Sequence, residues 1–206
     1  MTGRLHTKLA VALIVLAGLG GASAARASVV VSVNANFLDT AYDGGAGLLT
    51  ILDHADIVVE FDDSSQMTYA AGLFNLAADL VLDRSAAGLA MADFGSGTLT
   101  INDSGGGTLL AATDLTLTLT EVVDGGGMLA GDGQFTVTGG ALAPAFGHTV
   151  GEIVQITFHL NPKDIGSFGQ GFAALSNVSL MPTPEPATLF LLAAGLGTLL
   201  VRRRRA

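Results

Sequence analysis

Residues 115–120 read Leu115-Thr116-Leu117-Thr118-Leu119-Thr120, a strict alternation of apolar and polar side chains. Successive side chains of a β-strand point to opposite faces, so the three leucines share one face and the three threonines share the other. Residues 151–160 repeat the pattern, and their apolar face consists of Val154, Ile156, Phe158 and Leu160. Both segments are therefore predicted to be strands with one buried face and one solvated face.

The segment from Phe74 to Asp83 admits two interpretations. As a strand, it places one apolar set on a single face: Phe74, Leu76, Ala78, Leu80 and Leu82. As a short helix, it groups another set at a period of about 3.6 residues: Leu73, Leu76, Ala77 and Leu80. The pattern leaves both interpretations open. Five shorter segments are also candidate strands: Val29–Val33, Ile57–Phe61, Gly97–Ile101, Gln134–Thr138 and Phe172–Leu180.

Clusters of aspartate and glycine separate these segments. Glycine adopts the positive φ that tight hairpins require, and aspartate is a favoured neighbour. The clusters are Asp43-Gly44-Gly45, Asp103-Ser104-Gly105, Asp124-Gly125-Gly126 and Asp132-Gly133. Many short alternating strands between such turns, with few helix signals, predict an all-β fold, an antiparallel β-sandwich of the jelly-roll type.

The central part of the chain is strongly acidic. All 18 acidic residues lie within residues 28–186, whereas Arg84 and Lys163 are the basic residues there, so the formal charge of this part is 2 minus 18, or −16. Such a charge repels phosphates, which excludes nucleic acid as a partner and opposes binding to anionic lipid headgroups. The chain has no cysteine, so the domain is stabilised by packing or by bound ions rather than by disulfides.

No catalytic constellation is visible. The chain has no cysteine and no G-x-S-x-G motif, and His148 and His159 lie in a loop and on the polar face of a strand. Residues 53–56, Asp53-His54-Ala55-Asp56, include metal-ligating residue types, but no second histidine or cysteine completes a zinc-like spacing. This tetrapeptide is predicted to be a solvated turn before the strand at Ile57. We expect a protein that is not an enzyme.

Calcium and carbohydrate remain alternatives. Asp62-Asp63 with Ser64 and Ser65, or Asp124 with Asp132, could supply oxygen ligands to one Ca²⁺, although neither an EF-hand loop nor an RTX-type repeat is present. No metal site is assigned. Two carboxylates at the right separation would suffice for a weak glycosidase. Sugar clefts usually use aromatic rings, however, and the chain has no tryptophan and only Tyr42 and Tyr69 as tyrosines.

Residues 1–27 have the anatomy of a secretory signal peptide. Arg4 and Lys8 form a positive start, and Leu9–Leu19 form an apolar segment too short to span a membrane. Ala25-Arg26-Ala27 is an A-x-A site for signal peptidase, with Ser28 as the expected mature N-terminus. Cleavage after Ala22-Ser23-Ala24 is the alternative.

The last 23 residues combine three features. Pro184-Glu185-Pro186 is held extended and accessible, because proline fixes its own φ and disfavours helix at the preceding residue. Ala187–Val201 carries no charge and would form a helix of about 22 Å, shorter than the ~30 Å hydrocarbon core. Arg202, Arg203, Arg204 and Arg205 follow, and their side chains can extend to the headgroups. We predict a C-terminal transmembrane helix whose arginine end is cytoplasmic.

These three features, in this order at the C-terminus, resemble the PEP-CTERM sorting signal of exported proteins from Gram-negative bacteria. The resemblance implies that an exosortase, a membrane-embedded cysteine transpeptidase-like enzyme, recognises Pro184, Glu185 and Pro186. It also implies cleavage near them and delivery of the domain to the cell surface or an exopolysaccharide matrix. Under this interpretation Glu185 is a recognition residue. Ectodomains of this family are often β-sandwiches, in agreement with the strand pattern.

The sequence thus predicts a signal peptide (1–27), an acidic ectodomain (28–181) and a sorting and membrane-anchor segment (182–206). Signal peptidase and exosortase are the expected processing partners, and exopolysaccharide is a further candidate. The protein is expected in the inner membrane with its ectodomain outside the cytoplasm, and then at the cell surface or outside the cell. We expect a structural or adhesive role. The alternative is a carbohydrate- or calcium-binding module, or a weak glycosidase, that acts on exopolysaccharide.

Overall fold

The computed structural model describes residues 29–86, 88–122, 127–146, 151, 153–162 and 165–183. Within them lie eight strands and a short 3₁₀ turn at Ala143–Phe146. The strands are β1 (Val30–Asp43), β2 (Leu48–Phe61), β3 (Gln66–Asp83), β4 (Met91–Asn102), β5 (Thr108–Glu121), β6 (Leu129–Gly139), β7 (Ile153–Leu160) and β8 (Phe172–Pro182).

The strands form a closed antiparallel barrel, in which each strand pairs with the next and β8 pairs with β1. The closing seam runs from Val33 opposite Leu180 to Tyr42 opposite Phe172. The predicted β-sandwich is therefore wrong. A sandwich divides its strands between two sheets with open edges, whereas here the last strand returns to the first and leaves no edge. Alternation specifies one apolar face per strand in both architectures, so it could not distinguish them.

The barrel interior is filled by apolar side chains, as expected for eight strands. Leu115, Leu117 and Leu119 of β5 are all at most 2% exposed, which confirms the predicted buried face of the alternating hexapeptide. Phe74–Asp83 belongs to β3, so the strand interpretation of that segment is correct. The largest fully buried rings are Phe74, Phe135, Phe146, Phe158 and Phe168.

Four strands contain a residue with positive φ far from any turn: Phe37 in β1, Ala71 in β3, Ser96 in β4 and Asp114 in β5. Each lies at or beside a register shift in the pairing with a neighbouring strand. These are β-bulges, which add a residue, bend the strand and increase its twist. Strands of 12 to 18 residues can curl around a closed barrel because such bulges bend them.

Two predicted turns are confirmed and one is wrong. Asp43-Gly44-Gly45 connects β1 to β2, and Asp103-Ser104-Gly105 connects β4 to β5. Asp132-Gly133 instead lies inside β6. A Cβ at Gly133 would lie 2.3 Å from the Thr116 carbonyl oxygen, so glycine permits close approach of β5 and β6 there. Asp124-Gly125-Gly126 lies outside the described residues.

Three buried polar side chains near the closing seam, Thr40, Tyr42 and Ser176, are paired, whereas the buried Oδ1 of Asn102 has no hydrogen-bond partner among the described residues. The Thr40 and Ser176 hydroxyls lie 2.7 Å apart across the closing seam. Tyr42 packs against Phe94, Phe168 and Phe172, and its hydroxyl donates a hydrogen bond to the Phe168 carbonyl oxygen at 2.9 Å. Burial, together with the negative charges of Asp83 and Asp43, raises the pKa of Tyr42 above its ordinary value.

Different strand ends and connections lie at the two ends of the barrel. At one end, here called the terminal rim, β1 begins, β8 ends, and the β2–β3, β4–β5 and β6–β7 connections lie, the last of which contains the 3₁₀ turn. The opposite end, the far rim, carries the β1–β2, β3–β4, β5–β6 and β7–β8 connections. Both ends of the described chain, Val29 and Thr183, therefore leave from the same rim.

Candidate functional site

The processing sites predicted from the sequence lie just beyond Val29 and Thr183, where the chain enters and leaves the barrel at the terminal rim. Ala25, Ala27 and Ser28 of the signal peptidase site, and the Pro184-Glu185-Pro186 motif, lie outside the described residues. So do the predicted transmembrane helix at 187–201 and the Arg202–Arg205 cluster. The described part of the chain contains no apolar helix of membrane-spanning length.

The chain is paired with or hydrogen-bonded to β7 up to Thr183, the residue before Pro184-Glu185-Pro186. Pro182, the last residue of β8, pairs with Val154 of β7. The Thr183 hydroxyl then donates a hydrogen bond to the Ile153 carbonyl oxygen at 2.7 Å. Consecutive Cα atoms are about 3.8 Å apart, so the Cα of Pro186 lies within about 11 Å of that of Thr183 in any conformation. The sorting motif is thus tethered directly to the terminal rim.

The N-terminal end of the barrel is anchored at the same rim. The Val29 main-chain amide donates a hydrogen bond to the Asp62 carboxylate at 3.0 Å, and Val30 pairs with Phe61. Nearby, the Ser32 hydroxyl donates to the Glu60 carboxylate at 2.9 Å. The barrel's hydrogen bonding therefore begins one residue after the expected signal peptidase product starts.

The candidate calcium ligands have structural roles in turns and strands. Asp63 accepts hydrogen bonds from the Ser65 amide at 2.9 Å and the Ser65 hydroxyl at 2.5 Å, within the β2–β3 turn. The Asp62 carboxylate accepts the hydrogen bond from the Val29 amide, and Asp132 lies in β6. Asp124 lies outside the described residues. In the part of the chain that the structure describes, no three His, Cys, Asp or Glu residues are grouped to hold a metal ion.

The Asp53-His54-Ala55-Asp56 tetrapeptide lies in the middle of β2, so its prediction as a solvated turn is wrong. Its carboxylates accept main-chain hydrogen bonds where neighbouring strands leave the regular ladder. Asp53 accepts from the Asp39 amide at 2.9 Å, beside the β1 bulge, and Asp56 accepts from the Ala71 amide at 3.1 Å. These acidic side chains therefore satisfy bulges, since a main-chain amide without a partner is costly.

The remaining candidates lie apart from one another. His159 is exposed on β7, on the polar face that its alternation predicted, and His148 lies outside the described residues. A surface groove crosses the outer faces of β1, β2 and β8, between Leu52, Phe172 and Leu175. Its one acidic lining residue in the described chain is Asp39. The groove thus lacks the paired carboxylates of a glycosidase.

Sequence reasoning missed one buried carboxylate. Glu121, at the end of β5, is 4% exposed. Its two oxygens accept hydrogen bonds from the main-chain amides of Ala90 at 3.0 Å and Gly127 at 3.1 Å, which joins two far-rim connections. The signal was available, because Glu121 continues the inward phase of Leu115, Leu117 and Leu119.

Comparison with known proteins identifies the C-terminal segment. Residues 182–205 match the family model of the PEP-CTERM protein-sorting motif. No curated protein and no solved structure matches the chain. The predicted PEP-CTERM signal is therefore confirmed. This motif indicates that the protein is an exported substrate of an exosortase. The match begins at Pro182, the last residue of β8.

Proposed function

We propose that this protein is an exported barrel with a structural or adhesive role at the cell surface or in exopolysaccharide. An exosortase cuts the precursor near Pro184-Glu185-Pro186, and the Ala187–Val201 segment with its arginines holds the precursor at the inner membrane until then. The observation that carries the proposal is the position of the motif. It begins where the barrel's last strand ends, so removal of the tail takes away no strand.

The barrel suits a durable extracellular role. Closure of β1 onto β8 leaves no open sheet edge, and such edges promote uncontrolled association between copies. The strongly negative charge favours solubility and cationic partners. The carboxylates that suggested metal or catalytic chemistry are bonded to main-chain amides at turns and bulges. We therefore assign no catalytic or metal-binding role to these carboxylates.

Replacement of Pro184, Glu185 and Pro186 by alanine tests the proposal. The precursor carrying all three substitutions should accumulate uncleaved in the inner membrane, as measured by fractionation and immunoblotting in the native host. Val122→Ala, at an exposed position of the far rim, is the control and should be processed as the unaltered protein is. Equal cleavage and release of the triple variant would refute the proposed function.

A melting curve with and without Ca²⁺, or with purified matrix polysaccharide, tests the alternative of a ligand-binding module. A ligand present at a hundred times its Kd stabilises a protein by about 2.7 kcal/mol. We expect no such change in the free energy of unfolding with Ca²⁺. A stabilisation of that size would favour the binding module over a purely structural barrel.

A further inference from the structure

An enzyme that binds the sorting motif must come close to the barrel. Its three residues lie within about 11 Å of Thr183, which is hydrogen-bonded to β7. A standard protein interface covers about 800 Å² on each partner, or roughly 30 Å across. An enzyme that binds the motif with even part of such a footprint therefore meets the terminal rim.

The rim surface beside the motif is apolar. Val31, Ile153 and Met181 are 49%, 47% and 37% exposed, and we call these three residues the rim patch. Met181 lies on β8 opposite Gln155, two residues from Ile153 on the same outward face of β7. Val31 lies on β1, two residues beyond the Val33–Leu180 pair towards the same rim. The patch thus surrounds the point where the chain leaves the barrel.

Charge indicates which partner the rim patch fits. Glu60, Asp62 and Asp63 lie at this rim. Among the described residues, Arg84 is the one lysine or arginine, and it pairs with Asp93 near the far rim. A bilayer with anionic headgroups is repelled by such a rim, whereas a protein surface that combines apolar and basic groups complements it.

We propose that the rim patch is a docking surface for the exosortase that reads Pro184-Glu185-Pro186. This inference rests on the proposed function and extends it, because recognition then includes the folded barrel as well as the motif. Because no spacer separates Thr183 from Pro184, the motif stays within about 11 Å of Thr183 and therefore close to the rim patch.

The double variant Ile153→Lys with Met181→Lys tests the docking surface in the full-length precursor. It removes apolar contact and places positive charge against a basic partner, so the half-time of precursor cleavage in a pulse-chase should lengthen about fivefold or more, as for loss of interface contacts. Val81→Lys with Val122→Lys is the matched control, since these residues are 67% and 55% exposed at or near the far rim. Its half-time should stay within about twofold of the unaltered protein's, because it leaves the rim patch intact.

Insertion of six residues, Gly-Ser-Gly-Ser-Gly-Ser, between Thr183 and Pro184 gives a second, independent readout. The flexible insert adds a root-mean-square separation of about 13 Å, so cleavage should slow in the unaltered barrel. In the inserted chain, the Ile153→Lys and Met181→Lys pair should cause little further slowing, because motif and patch no longer act together. Melting curves of the full-length precursor and of each variant establish that each variant folds.

Each outcome is decisive. Cleavage of the rim-patch variant at the unaltered rate overturns the inference. Faster cleavage, with stronger retention on vesicles containing anionic phospholipid, would instead make the membrane the occupant of the patch, since added lysines favour that surface. The triple alanine variant separates the two proposals: if it is cleaved normally, the proposed function fails, and if it alone is blocked, only the docking surface fails.

Discussion

Glu121 joins two connections of the far rim. Its buried carboxylate accepts hydrogen bonds from Ala90 and Gly127, which belong to two different connections. Glu121→Gln keeps the shape but replaces one acceptor oxygen with an NH₂ group that faces a main-chain N–H. We expect a loss of about 1–3 kcal/mol in the free energy of unfolding, the cost of a buried donor left without a partner.

Glu60→Gln is the control for that measurement by urea unfolding. Glu60 is only partly buried and its partners are side chains, Ser32 and Gln66, which can reorient. Both substitutions remove one negative charge from an acidic domain, so the general relief of repulsion cancels in the comparison. A loss at Glu121 no greater than the loss at Glu60 would show that the two far-rim connections do not depend on this carboxylate.

Tyr42 should make the barrel sensitive to alkaline pH. Burial raises its pKa in the folded state above the ordinary value of 10.0. Above pH 10 the unfolded chain therefore loses the phenolic proton before the folded chain does, and stability falls as pH rises, by at most about 1.4 kcal/mol per pH unit. Below pH 10 the group has no such effect.

Tyr42→Phe removes this pH dependence together with the hydrogen bond to Phe168. At pH 7 the variant should be about 1 kcal/mol less stable, the net value of one buried hydrogen bond. Its free energy of unfolding should fall less steeply than that of the unaltered protein between pH 10 and 11. Equal slopes in urea titrations across this interval would contradict the assignment.

At the scale of the element, β6 depends on glycine where β5 approaches it. Gly133→Ala would place a methyl group 2.3 Å from the Thr116 carbonyl oxygen, a contact with rigid backbone. We expect a loss of about 1–3 kcal/mol, as for overpacking in a core. Gly139→Ala, on the same strand, meets nothing within 4 Å and should be neutral or stabilising by less than about 1 kcal/mol. Thermal melting of both variants distinguishes packing from strand propensity, and equal effects would count against the close approach.

Bulges explain why the strands were underestimated from the sequence. In β4, Phe94 points inward before the bulge at Ser96 and Leu99 points inward after it, although the two residues are an odd number apart. A phase change of this kind looks like the end of a strand, so only Gly97–Ile101 was predicted. β7 and the second half of β5 have no interruption, and their inward faces were predicted correctly.

The same bulges explain why the roles of the acidic residues were not predicted from the sequence. Asp53 and Asp56 suggested a turn because carboxylates are rare in strand interiors. Each instead accepts a hydrogen bond from a main-chain amide beside a bulge in the neighbouring strand. Such a role depends on cross-strand register, which a single sequence does not reveal. The sorting motif was identifiable because its recognition depends on local order along the chain, from Pro184 to Arg205.

At the scale of the whole molecule, the seam that closes the barrel lies beside both predicted processing sites of the chain. β1 and β8 form the seam of the barrel, and each lies next to a predicted processing site of the chain. Among the described residues, Val29 and Thr183 are the first and the last that are hydrogen-bonded to the barrel. Both predicted cleavages can therefore occur without loss of a strand.

Mass spectrometry of the two termini of the mature protein, purified from the native host, tests this account most directly. We expect an N-terminus at Ser28 and a C-terminus close to Pro184–Pro186, with residues 187–206 absent and any covalent attachment visible as added mass. A mature protein that retains Arg202–Arg205, or one cut inside the barrel before Thr183, would contradict the account.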